Sequence, residues 1–193
     1  MAKEKNVARE KIIETTTQLI KEFEDISKIT IRDIALKAEV GSGLINYHFQ
    51  TKDKLVGICV LRIISQFIEE IEKLYDELEM SPRDKLKYVF KYKCDFVAKN
   101  PIISKTSMIL DLNSAALNDN TDQSAKVHFK VLKEIFGDQK TEWELFSMLH
   151  LMMSSIQVAF LRNDVIKVYT KMDFFDKEQR DRYIDTLVDL TIV

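Results

Sequence analysis

The sequence predicts an all-α protein, and three observations support that prediction. Apolar residues recur at helical spacing along most of the 193 residues, no stretch of useful length alternates between polar and apolar residues, and only two prolines and four glycines interrupt the chain. The composition, 46% hydrophobic and 31% charged, is that of a globular protein. We therefore expect a set of packed helices joined by short turns.

Start and stop signals divide the N-terminal part of the chain into six helices. Thr30 and Thr51 are good N-caps, and Ser81-Pro82 and Asn100-Pro101 each place a capping residue before a proline. A break at Glu39-Val40-Gly41 separates two short helices. The expected helices run from about Ala8 to Glu22, from Thr30 to Ala38, from about Gly41 to Phe49, from Lys52 to about Glu77, from Pro82 to about Lys99 and from Pro101 to about Leu117.

The C-terminal part predicts one clear loop and three further helices. The polar residues from Asn118 to Asp122 form the loop, and the helix after it ends near Gly137, a good C-cap. Thr141 caps the next helix, which contains the longest uncharged run, Leu145 to Leu161. Because this run includes polar residues and falls short of the roughly 20 apolar residues that span a bilayer, we expect it to be buried in the protein. A last helix is expected from Asp176 to Val193.

Charge and cysteine usage narrow the class of protein. The formal net charge of -2 does not by itself indicate a nucleic-acid binder, so any basic surface must be local. The first residues contain no apolar segment typical of an export signal, and we expect a cytoplasmic protein. Cys59 and Cys94 form no CxxC pair and lie in apolar helical stretches, which favours buried free thiols over a disulfide or a redox switch.

Two short helices on either side of a tight turn, residues 30–38 and 41–49, have the dimensions of a helix-turn-helix, whose second helix enters the major groove of DNA. An ordinary helical hairpin is the alternative. Gly43 favours the first interpretation, since a glycine inside a helix costs about 1 kcal/mol relative to alanine and permits close approach of a bulky neighbour. Lys52 lies in the first turn of a helix, where a positive charge is unfavourable next to the positive end of the helix dipole unless an anion such as a phosphate binds there. The alternative is a solvated surface charge partly offset by Asp53.

The stretch TIRDIALKAEVGSGLINYHFQTKDKLV, Thr30 to Val56, resembles the DNA-binding signature of the TetR family of bacterial transcriptional regulators. Members of that family share T-[IV]-R-D-I-A, then a G-V-S-x-G-x-[LI]-Y-x-[HY]-F run and an S-K-E-x-L helix start. Here Glu39 replaces the turn glycine, Gly41 replaces a serine cap, and Asn46 replaces a tyrosine. Because a non-glycine residue at positive φ costs about 1 kcal/mol or more, we expect a distorted turn at Glu39.

The resemblance implies an N-terminal three-helix helix-turn-helix DNA-binding domain, residues 1–51, and a C-terminal helical effector-binding and dimerisation domain, residues 52–193. It also implies DNA contacts, in which Asn46 would read adenine and Leu44 a thymine methyl group. The residues implied in contacts to the sugar-phosphate backbone are Thr30, Arg32, Tyr47, His48 and Lys52, and those implied in the groove are Ser42, Gly43, Leu44 and Asn46.

The function implied is that of a sequence-specific repressor which binds a palindromic double-stranded operator as a homodimer, with half-sites about 34 to 36 Å apart or further. In this family the C-terminal domain usually binds a small molecule, and the fourth helix would transmit the change to the DNA-binding domain. Scarce charge predicts a small apolar or aromatic effector. For any one candidate contact a core position is the better explanation, and only the set as a whole favours a pocket; the candidates are Phe90, Cys94, Met108, Trp143, Met148, Met152 and Phe160.

Other classes of function have little support. His48, His128 and His150 have no second ligand at metal spacing, so we expect neither a metal nor a cofactor. Gly41-Ser42-Gly43 follows no strand and lacks the remainder of a phosphate-binding motif. No GxSxG or HExxH motif indicates an enzyme. A helical interaction module, or a regulator without an effector, remains the alternative.

Overall fold

The computed structural model describes residues 2–23, 26–114 and 116–193. These residues form α-helices and two short 3-10 turns and no strand, which confirms the all-α prediction. The helices are α1 (Ala2–Glu22), α2 (Ile31–Ala38), α3 (Ser42–Phe49), α4 (Lys52–Glu77), α5 (Pro82–Lys99), α6 (Pro101–Ser114), α7 (Asn120–Phe136), α8 (Glu142–Leu161), α9 (Asn163–Thr170) and α10 (Lys177–Thr191).

The chain divides into two compact units between Gln66 and Phe67, inside α4. The N-terminal unit contains α1, α2, α3 and the first part of α4, and the C-terminal unit contains the remaining helices. The division at residues 51 and 52 expected from the sequence follows the start of α4, whereas compactness places the boundary further along the same helix.

The N-terminal unit is held together by branched apolar side chains. Helix α1 packs against α2 and α3, and Ile12, Ile34 and Ile45 are at most 1% exposed. The Arg9 guanidinium lies 5.5 Å from the centroid of the Phe49 ring, so it adds a cation–π contact to the same core. These contacts fix the two short helices, which on their own would be too short to persist in water.

The turn between α2 and α3 is regular, and the expected distortion at Glu39 is absent. Glu39 adopts the left-handed conformation, with φ 54° and ψ 43°. The Val40 amide donates to the Ala35 carbonyl at 3.0 Å and the Glu39 amide to the Leu36 carbonyl at 3.2 Å, the pattern of a Schellman motif. Glu39 therefore takes the conformation that glycine usually supplies, while its carboxylate pairs with Lys11 at 2.9 Å.

The core of the C-terminal unit forms where α5 packs against α7 and α10 and where α8 packs against α7 and α10. Phe90 and Phe174 are at most 1% exposed in this core. Arg180 is also buried: its Nη1 donates to the Phe174 carbonyl at 2.8 Å, and its Nη2 donates to the Asp95 carboxylate. A buried guanidinium is tolerated here because it is paired.

Most helix boundaries agree with the sequence, and the exceptions have local causes. Helix α1 begins at Ala2 instead of about Ala8. Helix α6 is described to Ser114, residue 115 lies outside the described residues, and the chain turns at Leu117. The expected loop at residues 118–122 is shorter than predicted, because the Asp119 side chain accepts a hydrogen bond from the Asp122 amide and caps α7 from Asn120 onward.

Helix α9 was not predicted from the sequence. A helix is recognised by an apolar face that becomes buried, and in α9 Asn163 is the one residue fully buried. Val165, Val168 and Tyr169 are exposed on it. These three residues nevertheless recur at helical spacing; in a segment of eight residues this signal is short, and the sequence analysis overlooked it.

Helix α8 is apolar on two sides. Thr141 caps it with a reciprocal pair of hydrogen bonds to Glu144, as its sequence predicted. Leu149, Met152 and Ile156 are buried, whereas Trp143 is 77% and Leu151 62% exposed. Among the described residues it is the one helix long and apolar enough to cross a bilayer, a test that a core helix of a soluble protein also passes.

We predict that Glu39→Gly stabilises the protein relative to Glu39→Ala by about 1 kcal/mol, because glycine adopts the left-handed conformation without a Cβ clash. Both variants remove the ion pair with Lys11, so their difference isolates the backbone effect. Urea unfolding followed by circular dichroism measures it. Equal midpoints for the two variants would show that the backbone at residue 39 is unstrained.

Candidate functional site

Helices α2 and α3 bury one face each and leave the opposite face of α3 open. Ile34, Ala35 and Ile45 are buried, and Val40 is half-buried. Phe49 is 3% exposed. The crossing of the two helices is therefore built mainly from small and branched side chains.

The exposed face of α3 carries Ser42, Gly43, Asn46 and Tyr47, with Tyr47 64% exposed. Ser42 and Asn46 are four residues apart, as are Gly43 and Tyr47, so each pair lies along one side of the helix. Leu44, three residues before Tyr47, is half-buried. Of the four residues predicted to face a groove, Ser42, Gly43 and Asn46 are thus exposed and Leu44 is partly exposed.

Neither packing nor backbone conformation among the described residues explains why position 43 is glycine. A Cβ atom built on Gly43 would meet nothing within 4 Å, and its φ is not in the left-handed region. Neither tight packing nor a special backbone conformation therefore requires glycine here. The helix-destabilising effect of Gly43, about 1 kcal/mol relative to alanine, has no compensation inside the protein.

The side chain of Lys52 lies at the start of α2. Its Nζ donates to the carbonyl of Ile29 at 2.9 Å, and Ile29 directly precedes Thr30, the N-cap of α2. Two predicted phosphate contacts that are distant in sequence are thereby brought close together. The Ile29 carbonyl is thus a partner within the chain for the Lys52 ammonium. The sequence analysis had proposed an external anion as its partner.

Thr30 is engaged in a capping box with Asp33. The Thr30 hydroxyl donates to Asp33 Oδ2 at 2.6 Å and accepts from the Asp33 amide at 3.2 Å. Hydrogen bonds from the Thr30 hydroxyl and amide lower the pKa of Asp33, so this carboxylate stays ionised. A phosphate contact by the Thr30 hydroxyl would have to replace its bond to Asp33, whereas the neighbouring Arg32 is exposed.

His48 is half-buried beside Tyr47, with the two ring centroids 5.1 Å apart in an edge-to-face arrangement. Its Nε2 atom is enclosed and has no hydrogen-bond partner among the described residues. Enclosed polar atoms are nearly always satisfied by protein, water or a ligand. Nε2 is therefore an unsatisfied hydrogen-bonding atom, enclosed beside Tyr47.

The residues predicted to line an effector pocket are divided between core and surface. Phe90, Cys94, Met152 and Phe160 are buried, and Met108 and Met148 are half-buried. Trp143, at 77% exposed, lies on the outer side of α8 and does not line an interior pocket. Its apolar character did not reveal which side of the helix it occupies, because α8 is apolar on both sides.

A buried polar cluster in the C-terminal unit was missed by the sequence analysis. His128 Nδ1 lies 2.7 Å from the Tyr75 hydroxyl, and its Nε2 lies 3.4 Å from Lys93 Nζ, which donates to Ser124 Oγ at 2.6 Å. Burial, assisted by the Lys93 charge, lowers the pKa of His128 well below its usual value. Lys93 sits in the surface-like stretch Lys91-Tyr92-Lys93, which gave no sign of an interior position.

A separate open cavity of about 320 Å³ lies between the α6–α7 turn, α7 and α8. Leu117, Phe146, Leu149 and Met153 supply most of its apolar lining, with His150 stacked on Phe146 at a centroid distance of 6.1 Å. None of the seven predicted effector contacts lines this cavity.

The two cysteines behave as core residues. Cys59 and Cys94 are free and buried, and burial raises the pKa of Cys59 to about 11 and that of Cys94 to about 12. Both thiols are therefore protonated at neutral pH, which disfavours oxidation chemistry. No group of three or more metal-ligating side chains is present among residues 2–23, 26–114 and 116–193.

Residues 12–57 match the sequence model of the bacterial regulatory proteins of the tetR family. The chain is also 30% identical, over 83 residues, to the HTH-type transcriptional regulator BetI of Stenotrophomonas maltophilia (strain R551-3). The aligned segment spans 43% of this chain and 42% of that regulator, less than half the length of each. Residues 12–57, which match the family model, include the helix-turn-helix and the start of α4.

Solved structures resemble the whole chain. A TetR transcriptional regulator from Rhodococcus sp. RHA1 superposes with a TM-score of 0.59 at 18% identity, over 97% of each chain. A TetR-family transcriptional regulator from Mesorhizobium loti MAFF303099 gives a TM-score of 0.60 at 15% identity, over 97% of this chain and 96% of that one. At these identities the likeness concerns the fold alone. The match over the helix-turn-helix leads to one conclusion: residues 12–57 are the DNA-binding domain of the tetR family of bacterial regulatory proteins.

Proposed function

We propose that this protein is a cytoplasmic, sequence-specific DNA-binding repressor rather than an enzyme. It binds a palindromic operator as a homodimer, and a small effector with an apolar body controls it through the C-terminal unit. The observation that carries the proposal is the open face of α3, on which Ser42, Asn46 and Tyr47 surround a glycine that nothing inside the chain requires.

The open face of α3 has the chemistry of base readout. The amide of Asn46 is exposed and forms no side-chain hydrogen bond with any described residue, which suits pairing with N6 and N7 of an adenine. Ser42 provides a small hydroxyl on the same side. With no side chain at Gly43, the helix backbone can approach the bases or the sugar-phosphate wall of the groove.

Contacts to the DNA backbone would flank that face. Tyr47 and the half-buried His48 lie beside it, and Lys52 and Arg32 lie at the start of α2. Phosphate contacts of this kind position a protein on DNA without reading sequence. The proposal therefore separates base readout by Asn46 from anchoring by Lys52, and the two roles differ in what a substitution changes.

A second copy of the chain would cover the outer side of α8. Trp143, Leu151 and Val158 are 77%, 62% and 48% exposed on that side, and on α10 Leu190 is 75% exposed. Exposed apolar side chains on one side of a helix are typical of protein interfaces. A two-fold dimer would place two copies of α3 on one side of the duplex, which suits a palindromic operator.

Helix α4 offers a route for control by the effector. It is continuous from Lys52 to Glu77, and the boundary between the two units falls within it. An effector that favours one arrangement of the C-terminal unit would then alter the start of this helix, where Lys52 reaches α2. Couplings of this kind are typically worth about 1 to 3 kcal/mol.

In-vitro selection of bound duplexes from a random pool tests the function itself. We expect enrichment of a palindromic sequence that the purified protein then binds in preference to random competitor DNA. Absence of any preferred sequence at low ionic strength would contradict the proposal, whatever the effector.

Replacing Asn46 with alanine should relax base preference. We expect the discrimination between the selected operator and variants at one position per half-site to fall by about 1 to 3 kcal/mol, the value of one bidentate base contact. Fluorescence anisotropy on a panel of single-base variants measures this. The control Asn113→Ala removes the same side chain from an exposed position on α6 and should leave the preference unchanged.

Replacing Lys52 with alanine should weaken binding to all sequences alike. Loss of one phosphate contact reduces the slope of log affinity against log salt concentration by about 1. Lys37→Ala is the matched control, because Lys37 lies in the last turn of α2 and pairs with Glu22 at 2.5 Å. A salt slope that is the same in the Lys52 variant and the wild type would exclude the phosphate contact and leave Lys52 with its structural bond to Ile29.

Introducing a charge on the outer side of α8 should separate the dimer. In Leu151→Glu a carboxylate would be buried without a partner at the interface, so we expect dimer dissociation to be favoured by roughly 100-fold or more. Analytical ultracentrifugation measures the change. Leu112→Glu alters a leucine on α6 that is similarly exposed, 65% against 62%, and should stay dimeric. A Leu151→Glu protein that remains dimeric would move the interface elsewhere.

A further inference from the structure

Inside the C-terminal unit, Lys93 is a cation without a counter-anion. Its Nζ lies 2.6 Å from Ser124 Oγ, 3.4 Å from His128 Nε2 and 6.0 Å from the centroid of the Phe90 ring. Among the described residues no carboxylate forms an ion pair with it, although the nearby Asp95 pairs with Arg180 and Lys177. Its neighbours are thus a hydroxyl, a ring nitrogen and an aromatic face.

The titratable side chains of this cluster other than Lys93, namely His128, Tyr75 and Cys94, supply no negative charge; the Glu134 carboxylate acts on Tyr75 from outside the cluster. Burial lowers the pKa of His128 well below its usual value and keeps the ring neutral. Burial also raises the pKa of Tyr75, and it raises that of Cys94 to about 12, so both stay protonated. Burial lowers the pKa of Lys93 itself to about 8, and the side chain is therefore still mostly charged at neutral pH.

The hydrogen bonds orient the cluster towards an acceptor. Lys93 donates to the lone pair of His128 Nε2, which leaves the ring proton on Nδ1, donated to the Tyr75 oxygen 2.7 Å away. In this arrangement the Tyr75 hydroxyl hydrogen and the third ammonium hydrogen of Lys93 remain available. The cluster thus presents two donors and a net positive charge.

Lys93 is half-buried, so part of the residue's surface stays accessible to a group that would accept these bonds. An unpaired buried charge is unfavourable, and strongly perturbed buried groups are concentrated at functional sites.

We propose that Lys93 binds an anionic oxygen group, a carboxylate or a phosphate, at one end of an effector whose apolar body packs against the neighbouring core, including Phe90. Ser124 and His128 hold the ammonium in place, and Tyr75 supplies a further donor. This inference rests on the proposed effector-controlled function and replaces a purely apolar effector with an amphipathic acid.

The test measures ligand binding by the full-length chain in the absence of DNA. Straight-chain carboxylic acids of six to twelve carbons, alkyl phosphates and alcohols of the same lengths are titrated by calorimetry. We expect at least one acid to bind roughly tenfold or more tightly than the alcohol of equal length. The comparison of carboxylate with phosphate identifies the anionic group. If no acid in the panel binds more tightly than its alcohol, the proposal is overturned.

Two substitutions on α5 complete the test. Lys93→Met should abolish the preference for the acid, whereas Lys99→Met, at an exposed position of the same helix, should retain it. Because methionine fills a similar volume without an unpaired charge, Lys93→Met should also fold with an unchanged or raised Tm. An acid preference that survives in Lys93→Met contradicts the proposal, as does a lowered Tm. Failure to bind operator DNA would instead bear on the proposed function, since no DNA is present in these titrations.

Discussion

The crossing of α2 over α3 is the contact on which the proposed DNA interface depends. Each helix is eight residues long and can bury a single face, so the inward placement of Ile34 and Ile45 determines which residues of α3 point outward. A rotation of α3 by one residue would bury Asn46 and expose Ile45. The left-handed turn at Glu39 sets the angle at which α3 leaves α2, and Lys52 ties the start of α4 to the carbonyl before α2. The proposed base readout by Asn46 would thus depend on apolar packing on the opposite side of α3.

The C-terminal unit follows a different principle, because its interior is not uniformly apolar. Arg180 is buried with Asp95 as its partner, which makes it a structural ion pair. Lys93 is half-buried beside Ser124 and His128, and among the described residues no carboxylate forms an ion pair with it. The difference between these two cations lies in the presence of a carboxylate. It separates an ion pair that supports the fold from a charge that is better explained by a ligand.

Helix α8 connects packing with assembly. A helix that is apolar on one side finds all its partners within a single chain, whereas α8 buries Leu149 and Met152 and leaves Trp143 and Leu151 exposed. The second apolar side has no function in an isolated protomer and is unfavourable in water. An interface with another copy of the chain would remove that surface from water. The same two-sided composition explains why this helix also meets the length and composition expected of a membrane span.

The sequence by itself determined the helical class, most of the helix starts and the position of the helix-turn-helix. These features are local: the caps at Thr30, Ser81 and Thr141, and the spacing of apolar residues, act within a few positions of the chain. Tertiary structure alone decided that Leu44 is half-buried, that Trp143 is exposed, and that Lys93, Ser124 and His128 meet inside the C-terminal unit. Those outcomes depend on which side of a helix meets a neighbour and on contacts between residues distant in sequence. Periodicity cannot supply that information for a short helix such as α3, for one apolar on both sides such as α8, or for a lysine among surface-like neighbours.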